Sequence, residues 1–203
     1  MNKTVFFDLG NVLIFFSIKK MVSQLAELYG IKEEDAYRII FESPLREEYE
    51  KGLITSEQIH QSFSEKAGKE IPCDQFCRAI SDIFEPNLPV IALLEPLKAK
   101  GIELILLSNT CPAHFEFAKN RFPFLELFDH YILSYEVQAI KPEKKIFHCA
   151  LSSTSSTIEN CFYTDDIPEF IASARECGID AELYTSPENL QEQLLIRSFI
   201  DIK

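Results

Sequence analysis

Thr4-Val-Phe-Phe-Asp-Leu-Gly-Asn11 opens the chain with a short apolar run that stops at a carboxylate, a glycine and an asparagine. Four residues without polar alternation read as a strand buried on both faces, the signature of a central strand in a parallel sheet. The Asp-Leu-Gly-Asn that follows is a loop signal, so Asp8 stands at the strand's carboxyl end.

Outward from this strand the pattern changes twice. Residues 17–84 carry helical periodicity only. Met21, Val22, Leu25 and Leu28 share one face of a helix that Gly30 ends, and Ile39 and Ile40 belong to a second. Ser43-Pro44 starts a short charged helix stopped by Gly52, Thr55-Ser-Glu-Gln58 is a capping box ahead of Ile59 and Phe63, and Pro72 opens a helix bearing Phe76 and Ile80. Beyond Pro86 and Pro89, strands at 103–107, 130–133, 161–163 and 181–184 alternate with helices, the longest at 90–100, 112–122, 142–151 and 168–177. Strands separated by helices predict right-handed βαβ units and a parallel sheet. The expected architecture is an α/β core made of residues 1–16 and 86–203, interrupted by an all-helical insertion at 17–85.

Composition narrows the function. The 203 residues suffice for one domain with a sizeable insertion, and 46% hydrophobic residues with 17 Phe imply a substantial core. Twenty Lys+Arg against 32 Asp+Glu leave a net charge of −12 with no basic run, which argues against nucleic acid or an anionic membrane as partner. The apolar stretch from Val5 to Phe16 is interrupted by Asp8, Gly10 and Asn11, unlike a signal peptide, and no run is long enough to span a membrane. Six scattered cysteines without a CxxC pair fit a cytoplasmic location; Cys73 and Cys77, one helical turn apart, read as two thiols on a helix rather than half of a metal site. His60, His114, His130 and His148 are unclustered, and the phenylalanines at 115, 117, 122, 124 and 128 read as packing.

Ligands of parallel α/β sheets bind outside the carboxyl ends of the strands. The residues just past the predicted strands are Asp8, then Ser108 and Asn109, then Lys141 ahead of Pro142, then Asp165 and Asp166. Each alone is an ordinary turn residue; together they suit phosphoryl transfer through an aspartate. Asp8 attacks phosphorus, and water hydrolyses the resulting aspartyl phosphate. A carboxylate approaching a dianion needs Mg²⁺ between them, and Asp8, Asp165, Asp166 and the Gly10 carbonyl offer hard oxygen ligands. Ser108 donates to phosphate oxygens and Lys141 neutralises transition-state charge.

Phe6-Phe-Asp-Leu-Gly-Asn-Val12, Leu106-Leu-Ser-Asn-Thr110, Ile140-Lys-Pro142 and Tyr163-Thr-Asp-Asp166 resemble, in order and spacing, the four motifs of the haloacid dehalogenase-like hydrolase superfamily. The resemblance implies a Rossmann-like parallel sheet core with an inserted all-helical cap, and Glu48-Tyr-Glu-Lys-Gly-Leu-Ile-Thr55 is similar to a segment common in such caps. It implies Asp8 as nucleophile, Ser108 and Lys141 as phosphate ligands, and Asp8, Gly10 and Asp166 as Mg²⁺ ligands, with Asp165 bound directly or through water. Asn109 and Asn11 join Ser108 and Lys141 as expected substrate contacts.

One position departs from that pattern. Phosphatases of the superfamily usually carry an acid–base aspartate two residues after the nucleophile, and here Gly10 stands there. Asn11, Glu47 or Glu48 could replace it, the leaving group could be good enough to need no acid, as an anomeric phosphate is, or the chain could bind without turnover. The expected function is a Mg²⁺-dependent phosphatase of a small phosphorylated metabolite such as a sugar phosphate, monomeric or homodimeric. The alternatives are a non-catalytic phospholigand-binding protein and a haloacid dehalogenase. Paired Asp165 and Asp166, and no aromatic residue at position ten, argue against the dehalogenase. The linkers near Phe16 and Pro86 are expected to act as hinges for cap closure.

Overall fold

The structure, a computed structural model, describes residues 2–201. Its strands are β1 (Thr4–Phe7), β2 (Ile14–Phe16), β3 (Phe84–Pro86), β4 (Glu103–Ser108), β5 (His130–Leu133), β6 (Cys161–Asp165) and β7 (Asp180–Leu183). Five of them form one parallel sheet in the order β5-β4-β1-β6-β7, with Thr4 level with both Glu103 and Cys161. The opening strand is central, as its sequence predicts. Val5 and Phe7 pack with Leu104 and Leu106 on one face, while Phe6 packs with Ile105, Leu107 and Tyr163 on the other. This is the two-residue alternation of a strand covered on both sides.

Between β2 and β3 run α1 (Ile18–Tyr29), α2 (Glu33–Phe41), α3 (Leu45–Glu50), α4 (Ser56–Ala67) and α5 (Cys73–Ser81). Ser17 caps α1 by accepting from the Lys20 amide, Gly30 closes it in the left-handed region at φ 72°, and Thr55 with Gln58 forms the capping box of α4. Leu25, Ile40, Phe63 and Phe76 meet in a hydrophobic cluster of their own, each aromatic ring contributing roughly 2–3 kcal/mol by leaving water. The helices covering the sheet are α6 (Leu88–Ile91), α7 (Leu94–Ala99), α8 (Pro112–Arg121), α9 (Ser134–Val137), α10 (Lys144–Ser153), α11 (Pro168–Glu176) and α12 (Pro187–Ile196).

Three local expectations change. The single helix expected at 90–100 is broken into α6 and α7, because Pro96 has no N–H to give to the Ala92 carbonyl and its ring crowds that turn. The helix expected from Pro142 starts at Lys144, after an extended Glu143 at φ −60°, ψ 128°. The connections around Phe16 and Pro86 are not loose single strands: β2 and β3 pair as an antiparallel ribbon, Ile14 opposite Pro86 and Phe16 opposite Phe84.

The helical insertion also touches the core through α3. Gly52, at φ 64°, lies so close to α9 that a Cβ there would sit 2.1 Å from the Tyr135 carbonyl oxygen. Ser134 Oγ lies 2.6 Å from the Glu50 carbonyl, tying the end of α3 to the start of α9. Only glycine allows this approach, which explains the residue that stops the short charged helix. No helix among the described residues is long and apolar enough to cross a membrane.

Candidate active site

Four carboxyl-terminal strand edges converge. Asp8 leaves the central strand β1, and its neighbours contribute Ser108 and Asn109 after β4 and Asp165 and Asp166 at the end of β6. Lys141 arrives from the segment after β5, beyond α9. Its Nζ donates to Asp8 Oδ1 at 2.6 Å, to Asp165 Oδ2 at 2.6 Å and to the Leu107 carbonyl at 3.1 Å. All three ammonium protons are therefore used, on a side chain only 1% exposed.

The neighbours hold this arrangement. Asp165 is fully buried, and its Oδ2 also accepts from the Tyr163 hydroxyl while Oδ1 accepts from the Ile167 amide at 2.9 Å. The Asn109 side chain grips the Lys141 backbone from both sides, donating to its carbonyl at 3.0 Å and accepting from its amide at 2.7 Å. Asn11, in the left-handed region at φ 57°, donates to Asp166 Oδ2 at 2.9 Å. Ser108 is buried, lines the cavity beside Asp8, and makes a long 3.4 Å contact to the Asn109 carbonyl.

Electrostatics set the site apart. Burial pushes the Asp8 carboxyl up to about 7, against the pull of Lys141, and the nearby charges of Asp165 and Asp166 add to the rise. Burial likewise raises Asp166, partly offset by the Asn11 hydrogen bond. Burial opposes the charge on Lys141, but Asp8 and Asp165 outweigh it and hold the ammonium above the usual lysine value. Oxygens of Asp8, Asp165 and Asp166 lie within 4.8 Å of one another, and Lys141 pairs with the first two. An excess of negative charge in a hard-oxygen donor set fits Mg²⁺. The thiols of Cys73 and Cys77 sit 4.0 Å apart on α5, as two side chains one turn apart should.

A cavity of about 420 Å³ opens over this edge, with Asp8, Asn11, Ser108, Asn109, Lys141 and Asp166 at its polar end. Ile18, Met21, Ile40, Ile59 and Ile80 from the helical insertion wall the other end. Glu50 also faces it, while Glu47 turns away to pair with Lys51 at 2.9 Å. Sequence reasoning weighed Glu47 and Glu48 and missed Glu50. The available signal was helical spacing, which puts Glu50 on one face with Arg46 and joins them at 3.4 Å. Tyr163 was missed too, although the strand period places it on the same face as Asp165.

Comparison with known proteins identifies the family. The haloacid dehalogenase-like hydrolase family model matches residues 2–178. The chain belongs to that family. It is similar to a haloacid dehalogenase family enzyme of Bacteroides thetaiotaomicron, bt-2542, whose structure holds magnesium and inorganic phosphate, at 25% identity and a TM-score of 0.81 over 96% of this chain and 100% of that one. A predicted HAD-like family hydrolase from Porphyromonas gingivalis shares the fold, with 23% identity, a TM-score of 0.81 and 96% of each chain covered. The pyrimidine 5'-nucleotidase YjjG of Escherichia coli K12 is 22% identical over 216 residues, 98% of this chain and 95% of the relative.

For a haloacid dehalogenase-like hydrolase, the unusual feature is the wall at position ten. A Cβ built on Gly10 would lie 4.0 Å from Asp8 Oδ2 and 3.1 Å from the Phe16 ring. A side chain there would thus point at the Asp8 carboxylate, and in this chain the Phe16 ring of the β2–β3 ribbon stands against that space. An apolar ring stands beside the position where a second carboxylate would be expected.

Proposed function

We propose that this hydrolase is a Mg²⁺-dependent phosphatase that cleaves a small phosphorylated metabolite through an aspartyl phosphate on Asp8. The observation carrying this reading is the Asp8–Lys141–Asp165 array beside Asp166: a nucleophilic carboxylate, one buried cation, and a surplus of carboxylate oxygens.

Asp8, Asp166 and the Gly10 carbonyl would hold the metal. When bound, Mg²⁺ supplies charge neutralisation between carboxylate and phosphate. Asp165 has both oxygens engaged behind Lys141, so its role is to aim the lysine rather than to ligate the ion directly. Asn109 and Asn11 are positioning residues for the same reason, their side-chain amides being spent on Lys141 and Asp166. That leaves Ser108 and the Lys141 ammonium to meet the phosphoryl oxygens, the N–H that Lys141 now donates to Asp8 being the one to be redirected. Negative charge on Asp8 is needed for attack, and the ammonium beside it favours that form. The helices at 17–85 act as a cap that keeps bulk water from the aspartyl phosphate.

Hydrolysis of an aryl phosphate tests the reading, because a good leaving group needs no acid. Activity with Mg²⁺ should disappear with EDTA and return with added Mg²⁺. Activity indifferent to EDTA would sink the metal assignment, and no activity in folded protein would favour a phospholigand-binding role. The vacancy at position ten gives a second expectation. General acid help is typically worth about 10²–10⁴-fold, and Phe16, 40% exposed, can shift the few tenths of an ångström an added side chain needs. Gly10→Asp should therefore raise the ratio of alkyl to aryl phosphate turnover by about 10-fold or more. An unchanged ratio in a folded variant would mean that protonation of the leaving group does not limit the wild-type enzyme.

A further inference from the structure

Beyond the phosphate end, the cavity runs among side chains that normally make a helical core. Met21 of α1, Ile40 of α2, Ile59 of α4 and Ile80 of α5 all line it and are each no more than 6% exposed. Four helices thus leave a gap between them rather than closing, and the gap is continuous with Asp8 and Lys141. The whole cavity, phosphate end included, holds about 420 Å³, within the range of roughly 300–1,000 Å³ in which proteins bind whole small molecules.

Two of the polar side chains near this end are engaged by the protein itself. Tyr49 Oη is paired with Ser56 Oγ at 2.6 Å and accepts from the Ala113 amide at 3.2 Å. His114 Nε2 is 3.1 Å from the Ile80 carbonyl, and burial lowers the ring's pKa to about 4, keeping it neutral. Arg46 Nη1 lies 3.4 Å from Glu50 Oε1, a single long contact between an exposed arginine and a carboxyl whose pKa burial raises. Among Met21, Ile40, Ile59 and Ile80 a polyol would leave hydroxyl groups without partners, each at a cost of about 1–3 kcal/mol. A second anionic group among those four side chains would meet no cation.

We infer that the substrate is a phosphomonoester of an uncharged, largely apolar alcohol, whose hydrocarbon body lies among Met21, Ile40, Ile59 and Ile80 while its phosphate meets Asp8 and Lys141. This deepens the phosphatase reading and rests on it. A sugar phosphate fits this lining poorly. Phe16 and Ile18, 40% and 41% exposed, add two more apolar side chains to the lining.

The test is kcat/KM with Mg²⁺ across ethyl, butyl, hexyl and octyl phosphate, beside glycerol phosphate and glucose 6-phosphate, with p-nitrophenyl phosphate as reference. Burying methylenes should raise kcat/KM about threefold to fourfold per CH₂ until the cavity is full. Hexyl phosphate should then exceed glucose 6-phosphate by 100-fold or more. Equal rates along the series, or preference for the polyol esters, would overturn the inference while leaving the phosphatase intact. If no ester is turned over, p-nitrophenyl phosphate included, the phosphatase reading fails, and Mg²⁺-dependent calorimetry with butyl- and octylphosphonate decides the cavity's ligand. Tighter octylphosphonate binding supports the apolar body, and equal affinities exclude it. Met21→Trp, which fills the gap from α1, should end the rise at a shorter chain; an undiminished rise in that folded variant would place the alkyl group elsewhere. The wild-type series stands as the test if the variant does not fold.

Discussion

Asp8→Asn should hydrolyse an aryl phosphate at least about 10³-fold more slowly than wild type and yet melt at a higher temperature in EDTA. The loss of rate follows from chemistry: the amide keeps the shape of the carboxyl but not its nucleophilic oxygen, and a covalent route closes with it. The gain in stability follows from the electrostatics of the site. Folding raises the Asp8 pKa from 3.8 to about 7, with burial the largest cause. The folded state therefore binds more protons than the unfolded state between these values, and stability falls as pH rises through that window. Above it, the ionised carboxylate costs the metal-free fold on the order of 1–4 kcal/mol, which asparagine removes. At about 2–4 °C per kcal/mol for a chain of this size, melting at pH 8 should rise by several degrees, and by little at pH 4. Stored destabilisation at a reactive carboxylate is the familiar trade between activity and stability. A variant that is inactive and less stable at pH 8 in EDTA would show that Asp8 is held by Lys141 more strongly than burial opposes it.

Much of this site was legible in sequence because its parts are local. Each reactive residue except Lys141, which follows α9, lies at or just after a strand end, and the strands themselves are short apolar runs whose period requires no knowledge of their neighbours. Asp8, Ser108, Lys141, Asp165 and Asp166 were accordingly found from their places along the chain. What sequence could not supply is which atoms are already spent. Asn11 and Asn109 read as substrate contacts, and sequence carried no sign that their amides hold Asp166 and Lys141 across separations of 155 and 32 residues. The gap among Met21, Ile40, Ile59 and Ile80 was equally hidden. A face that packs closed and a face that lines a cavity have the same helical periodicity, so the pattern shows only that those residues turn inward. The β2–β3 ribbon was missed because three residues on each side give almost no alternation to read, and Pro96 was overlooked inside an otherwise regular helical run.

Replacing Lys141 by methionine should have the opposite effect on stability from replacing Asp8, and the contrast tests how the site is held together. Methionine keeps much of the length and removes the ammonium, leaving Asp8 and Asp165 facing each other with no cation between them. Breaking a buried ion pair from one side typically costs about 3–5 kcal/mol, because the remaining charge is neither solvated nor paired. The expected result is a melting temperature lowered by roughly 6–20 °C at pH 8 in EDTA. Proton uptake by the stranded carboxylates should shrink the loss at lower pH. Mg²⁺ should restore part of the stability, since a divalent ion answers the same excess of negative charge. Rate should not follow: the lysine's place over the phosphoryl oxygens is separate from the metal's, and removal of one such charged donor costs about 10²–10³-fold. The double variant Asp8→Asn, Lys141→Met then separates repulsion from lost packing. If like charges destabilise Lys141→Met, removing one carboxylate should recover more stability there than Asp8→Asn adds to wild type, a non-additivity of about 1 kcal/mol or more. Strict additivity, or a Lys141→Met protein that melts like wild type and ignores Mg²⁺, would mean that the lysine is not what lets three carboxylates share this buried edge.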